Sequence, residues 1–195
     1  MTKMISPFQK FSRADGGVAA VEFVFLLPFL LFLFFGMIDL TGLIGANRKV
    51  TQSASVVADL VAQNRNAFLK PATIDYYKAV KMIMEPTSMS NVRVEIHAFR
   101  PAGGSVTATW STNNGQGPGC GAQPSNSSLA PLATAGNDLI MARVCTLFEP
   151  YMATFLGTKI LGKTSFLVEE TIVLRPRSSS QLSCFQTTMG GAGCT

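Results

Sequence analysis

Apolar and polar positions are spread unevenly along this chain. Residues 18–38 form a run of 21 in which only Glu22, Pro28 and Gly36 are not apolar. At about 1.5 Å per residue a helix of that length matches the ~30 Å hydrocarbon core of a bilayer, so the run predicts a membrane-spanning helix. A buried core helix fits less well, because six phenylalanines placed all round it would need a large protein to cover them. Beyond the run, Leu40, Leu43, Asn47, Val50, Ala54, Val57, Val61, Asn64 and Phe68 recur in steps of three and four. Such steps fall on one helical stripe, which predicts that the helix continues as a stalk over residues 39–70. The competing expectation is a stripe packed on the chain's own domain.

The period then shortens. A second helix is expected over 73–84, with Ile74, Tyr77, Val80 and Met84 on one side and Glu85-Pro86 ending it. Residues 91–100 alternate Val92, Val94, Ile96 and Ala98 with Arg93, Glu95 and His97, the pattern of a half-exposed strand. Residues 105–110 alternate again after a turn at 101–104, so the two should pair as a hairpin. Residues 111–137 are rich in Gly, Asn, Ser and Pro and read as a long loop. A third strand is expected at 138–148, a short helical or irregular connection at 151–161 and a fourth strand at 164–174. The expected fold is α+β, a long N-terminal hydrophobic helix packed on a small antiparallel sheet. Its parts are a leader (1–17), a span (18–38), a stalk (39–70), an α+β domain (71–177) and a Gly- and Ser-rich tail (178–195).

Composition narrows the function classes. Mean hydropathy is +0.29 and only 14% of residues are charged, which excludes a largely disordered chain. Although Lys and Arg number 16 against 11 Asp and Glu, no basic run exceeds Arg48-Lys49, so a nucleic-acid partner is not expected. Lys3, Lys10 and Arg13 against Asp15 precede the span, and Asp39 is the first charge after it. The positive-inside rule therefore leaves the leader in the cytoplasm and everything beyond the span outside it. A cleaved secretory signal is a poorer fit, since 41–42 and 45–46 match its small-residue cleavage pattern only loosely.

All four cysteines, Cys120, Cys145, Cys184 and Cys194, follow the span, on the oxidising side. Two disulfides are expected, with three pairings open. Cys120 with Cys145 would tie the long loop to the third strand, and Cys184 with Cys194 would close the tail. No metal is expected, because there is no Cys-x-x-Cys pair and His97 is the only histidine. Residues 157–164 spell a Walker A pattern, but Ile160 and Leu161 are bulky and a strand-like run follows where a helix should open, so no nucleotide is expected. Asn126-Ser127-Ser128 matches a glycosylation sequon of a kind that arises by chance. His97 reads as a strand residue facing solvent or a partner. Glu169 and Glu170 point to opposite faces of a strand, and no nucleophile elbow exists, so the chain is not expected to be an enzyme.

Glu22 is the sharpest single feature, since a carboxylate inside an apolar span costs up to ~3 kcal/mol at the bilayer centre and generally has a partner or a function. Its spacing is particular: cleavage after Gly17 would make Val18 a free amine and Glu22 the fifth residue of the mature chain. The run Gly16-Gly17-Val18-Ala19-Ala20-Val21-Glu22-Phe23, followed by Leu26-Leu27-Pro28-Phe29-Leu30 and Gly36-Met37-Ile38-Asp39, resembles the TadE-like family, pseudopilin or minor-pilin-like proteins of tight-adherence (Flp pilus) systems. Arg175-Pro176-Arg177 is similar to the way these chains finish their last strand.

The resemblance implies a pilin-like subunit without cofactors, inserted in a bacterial inner membrane and cut between Gly17 and Val18 by a prepilin peptidase. It further implies that Glu22, Phe23 and Pro28 pack among other pilin-like subunits, with Glu22 facing a neighbour's new amine. An assembly platform and a secretion ATPase would be its other partners. The alternative is an uncleaved, membrane-anchored exported enzyme or ligand-binding domain.

Overall fold

The computed structural model describes residues 17–63, 70–133, 137–152 and 165–177. The leader before Gly17, the Walker-like run at 157–164, most of the 151–161 connection and the tail with Cys184 and Cys194 lie outside the described residues, as do Asn64 and Phe68. The architecture is α+β, with a long N-terminal apolar helix and a four-stranded antiparallel sheet. Two compact units are distinguished, Met1–Thr41 and Gly42–Thr195.

Helix α1 (Gly17–Ala62) contributes to both units. In the first, its Leu and Ala residues favour the helix, while Pro28 lacks the N–H that would complete the ladder. Near the end of this unit the Thr41 hydroxyl donates back to the Met37 carbonyl at 2.8 Å. The large apolar side chains of residues 21–35 are nearly all well exposed, among them Phe25 at 78%. By length and composition this is a helix able to cross a membrane.

In the second unit α1 buries one stripe. Val50, Ala54, Val57, Ala58 and Val61 are fully buried, together with Ser53. Burying each valine contributes about 1.5–3 kcal/mol, and the alanines let the sheet approach the helix axis closely. The stripe expected of a stalk thus packs into the chain's own core, Leu43 partly and Val50, Ala54, Val57 and Val61 fully, while Leu40 and Asn47 stay exposed. Helix α2 (Lys70–Met84) adds Tyr76, Val80 and Met84 at four-residue steps to the same core. It begins three residues before the expected start, and Tyr76 is the more buried tyrosine, its hydroxyl donating to the Leu60 carbonyl at 3.3 Å. Pro86 follows its end, and Lys49 Nζ donates to the Glu85 carbonyl at 2.6 Å, tying that end to α1.

Strands β1 (Val92–Ala102), β2 (Ser105–Asn113), β3 (Leu139–Phe148) and β4 (Phe166–Leu174) lie in the order β2-β1-β3-β4. The expected hairpin is β1–β2, turned at Gly103 and Gly104, whose φ of 57° and 88° suit the mirror-image turn that matches strand twist. β2 runs three residues further than its alternation indicated. On the helix side Val92, Val94, Ile96, Ala98, Trp110, Ile140, Ala142, Val144 and Val168 close the main core. A register shift opposite Ala98 and Phe99 leaves Thr109 of β2 as the extra residue, so Trp110 reaches the main core while Val106 reaches the opposite face. A second, smaller core of Phe99, Val106, Leu129, Leu139 and Met141 lies on the opposite face, so β3 is covered on both sides.

Candidate functional site

Gly17 opens α1, and a Cβ built there would meet nothing within 4 Å. Val18 is helical, and Glu22 lies about one turn further along α1. Glu22 is exposed, as are Phe23 and Pro28, and no ion pair of Glu22 exists among the described residues. This geometry offers a lone carboxylate on an otherwise apolar cylinder, an arrangement that favours a cation from whatever packs against it.

A different kind of site occupies the face of the sheet away from the helices. Because β2 is an edge strand and β3 pairs with the far side of β1, the chain from β2 to β3 must cross β1. Residues 114–133, expected as a loop, make that crossing as a strap fixed at successive points. The Asn114 side chain donates to the Val92 carbonyl and accepts from the Val94 N–H, and the Gly117 N–H donates to the Ser90 carbonyl. A Cβ at Gly117 would sit 2.4 Å from the Arg93 nitrogen, and its φ of +73° also requires glycine. Next, Cys120 and Cys145 are joined by a disulfide with Cα atoms 5.5 Å apart. The Gly121 N–H donates to Glu169 Oε2 at 2.6 Å. A helical turn, α3 (Asn126–Leu129), capped by Ser125, then drops Leu129 into the second core.

Beneath the strap lies a charged cluster. Arg143 is 3% exposed; its guanidinium donates to the carbonyls of Gly121 at 2.8 Å and Ala122 at 3.4 Å and pairs with Glu95 at 3.4 Å and Glu169 at 3.5 Å. Its Nε is buried without a partner. Arg93 Nε donates to Glu95 Oε1 at 2.6 Å. The His97 ring stacks on Phe99, with centroids 6.3 Å apart, and its Nε2 lies 3.5 Å from Glu95 Oε2 without a well-aligned hydrogen bond. His97 is thus half-buried on this face, beside Glu95 and Phe99 of its own strand. Glu169 and Glu170 do lie on opposite faces, Glu169 on the strap and Glu170 accepting from the Thr51 hydroxyl of α1. At the end of the sheet Asp138, fully buried, takes a two-pronged hydrogen bond from Arg100, which raises the guanidinium pKa.

The imidazole of His97, then Arg93 and Arg143, outweigh burial and hold the Glu95 carboxyl down at about 2 against an ordinary 4.5. A carboxylate with a lowered folded-state pKa contributes stability above its unfolded pKa and loses that contribution as pH falls through the folded value. The loss attributable to Glu95 therefore runs from about pH 4.5 to about pH 2 and amounts to at most ~3 kcal/mol. Urea midpoints at pH 5 and pH 2.5, followed by the single, buried Trp110, should converge more closely for Glu95→Gln than for the unsubstituted chain. An equal acid loss in both would place the effect on other carboxylates.

Sequence reading did not find this cluster. The available signal was Arg143 standing alone in the apolar run of β3, since a charge at such a position needs partners. Among the described residues no group of three or more His, Cys, Asp and Glu is placed to hold a metal. Two surface depressions lie elsewhere: about 250 Å³ between Tyr77, Lys78, Lys81, Met89, Asn114 and Gln116, and about 320 Å³ between Leu132, Leu139, Val173, Leu174 and Arg175. Neither borders His97. The C-terminal end of β4 is held to α1, the Arg177 N–H donating to the Ala62 carbonyl at 2.9 Å and its side chain pairing with Asp59 at 2.5 Å.

No curated protein and no solved structure gives a match to this chain. Residues 17–59, which begin where α1 begins and end at the partner of Arg177, match the family model described as TadE-like protein.

Proposed function

We propose that the chain is a membrane-inserted, pilin-like structural subunit in the assembly of a tight-adherence (Flp-type) pilus. The observation that carries this reading is the conjunction, within the TadE-like segment, of an apolar helix open on its sides and one exposed carboxylate, Glu22, five residues after Gly17. A prepilin peptidase cuts between Gly17 and Val18. The new α-amino group, with an ordinary pKa near ~8, is cationic at neutral pH and offsets the Glu22 carboxylate of a neighbouring subunit where both leave water. Shifting the carboxylate by one residue would turn it about 100° round the helix and break the axial register between subunits.

In this reading the leader faces the cytoplasm of a bacterial inner membrane and the α+β unit lies outside it, where the Cys120–Cys145 disulfide persists. Phe23 and Pro28 pack among other pilin-like helices, and the assembly platform and its ATPase act on the leader side. N-terminal sequencing of membrane-extracted protein from cells with an active prepilin peptidase should begin at Val18. A chain beginning at Met1 under those conditions replaces the processed subunit with an uncleaved anchor. Deleting residues 1–40 separates a subunit, which loses assembly, from a tethered module, which keeps a binding or catalytic activity.

A further inference from the structure

Among the described residues, one end of the sheet carries exposed apolar side chains on both faces. Leu147 and Leu167 are cross-strand partners on the strap face, each 41% exposed. Phe148 and Phe166, the next pair, lie on the helix face; Phe166 is 51% exposed, and Tyr151 just beyond is 70% exposed. Of these residues only Phe148 packs against the main core, and neither core includes Leu147, Leu167 or Phe166. The Phe148 ring does have a seat: its atoms lie 3.2 and 3.3 Å from where a Cβ of Gly42 would be, so the missing side chain lets the ring rest on α1.

Gly42 is the fourth residue after Ile38, where the apolar run ends. Four residues reach at most about 14 Å in any conformation, so this end of the sheet cannot be carried far from the boundary of the span. The headgroup layer on each side of a bilayer is itself several ångströms thick, and exposed aromatic rings with a polar tip favour that level. Glu149, exposed beside Phe148, limits the depth to where a carboxylate stays hydrated.

We propose that this sheet end is a second membrane contact, in which Tyr151, Phe166, Leu147 and Leu167 rest in the headgroup and upper acyl layer. The contact would orient the α+β unit on the lipid surface instead of leaving it to swing from the helix alone. It rests on the membrane-inserted reading above, and its test separates the two.

The full chain carrying Trp110→Phe is reconstituted into phosphatidylcholine and phosphatidylglycerol vesicles, with or without lipids brominated on the upper acyl chain. A single reporter tryptophan is introduced by Tyr151→Trp, Phe166→Trp or, within the span, Leu33→Trp. All three should lose intensity in brominated vesicles, by about twofold for residues at the boundary. Quenching at position 33 with none at 151 and 166 overturns the inference and leaves the span in the membrane. Quenching at none of the three overturns both readings. Blue-shifted but unquenched emission at 151 and 166 assigns the patch to another protein subunit and likewise overturns a lipid contact. Should Trp110→Phe fail to fold, the same positions are read as differences from the unsubstituted chain, whose buried Trp110 supplies a constant background.

Discussion

Replacing Arg143 with alanine is expected to destabilise the α+β unit by about 3–5 kcal/mol, the range for removing one partner from a buried ionic network. The side chain is 4% exposed and meets four acceptors: the Gly121 and Ala122 carbonyls and the carboxylates of Glu95 and Glu169. Its removal leaves Glu169 with the Gly121 N–H and Glu95 with Arg93 and His97, so the two carboxylates are not stranded equally. The unpartnered Nε already offsets part of the gain in the native state, which places the value toward the lower end. Urea unfolding of the detergent-solubilised chain, followed by Trp110 emission, measures it. Arg143→Met should lose less than Arg143→Ala, because it keeps the apolar stem that packs beneath the strap. Combining Arg143→Met with Glu169→Gln should recover more stability than combining it with Glu95→Gln, because Glu95 keeps Arg93 and His97 as partners. A loss below about 1 kcal/mol for Arg143→Ala would mean that the guanidinium is hydrated and that the strap does not enclose it.

The second large effect is expected from Cys120→Ser with Cys145→Ser. Closing a loop across 25 residues restricts the unfolded chain enough to contribute roughly 3 kcal/mol by the chain-entropy model. Cys145 is fully buried in the central strand, so the lost bond also leaves two hydroxyls to be hydrogen-bonded beneath the strap. The effect should be uneven in space. Around 114–122 hydrogen-exchange protection should fall, because the crossing then depends on Asn114, Gly117 and the Arg143 and Glu169 bonds alone. Protection in β1 and β3 should persist until global unfolding. Uniform loss across the sheet would show instead that the disulfide holds the core, and unchanged protection at the strap would show that its polar bonds suffice.

The two substitutions probe one design. Topology sends the chain across β1, and a crossing segment without apolar residues of its own cannot be held by burial. Between Asn114 and Ser125 the strap has Pro118, Cys120, Ala122 and Pro124 but no large hydrophobic side chain, so hydrogen bonds, a buried arginine and a disulfide take that role. Only at Leu129 does apolar packing resume.

Hydrophobic periodicity made the elements legible. The apolar run at 18–38, the stripe through Val50, Val57 and Val61, and the alternation through Val92, Val94 and Ile96 each carry a period that a single residue does not blur. Boundaries were less legible: β2 extends through Ser111, Thr112 and Asn113, which look like loop residues but pair with His97, Ile96 and Glu95 across the ladder. Tyr76 replaces Tyr77 as the more deeply buried residue of α2, because the angle at which a short helix meets a sheet depends on both surfaces. The pattern around Gly17 and Glu22, on which the proposed processing rests, is local, a fixed spacing along one helix.

By itself, then, the sequence determined the elements that depend on local order: a helix apolar enough to span a bilayer, a hairpin at Gly103-Gly104, the acidic residue one turn into the span and the TadE-like pattern around it. Tertiary structure alone decided that β3 lies between β1 and β4, that the segment after β2 is therefore a strap, and that Glu95, Arg143 and Glu169 meet beneath it. These contacts join residues 26 and 48 positions apart, and no local pattern of charge or hydropathy records which strands become neighbours when both faces of a sheet are being covered at once.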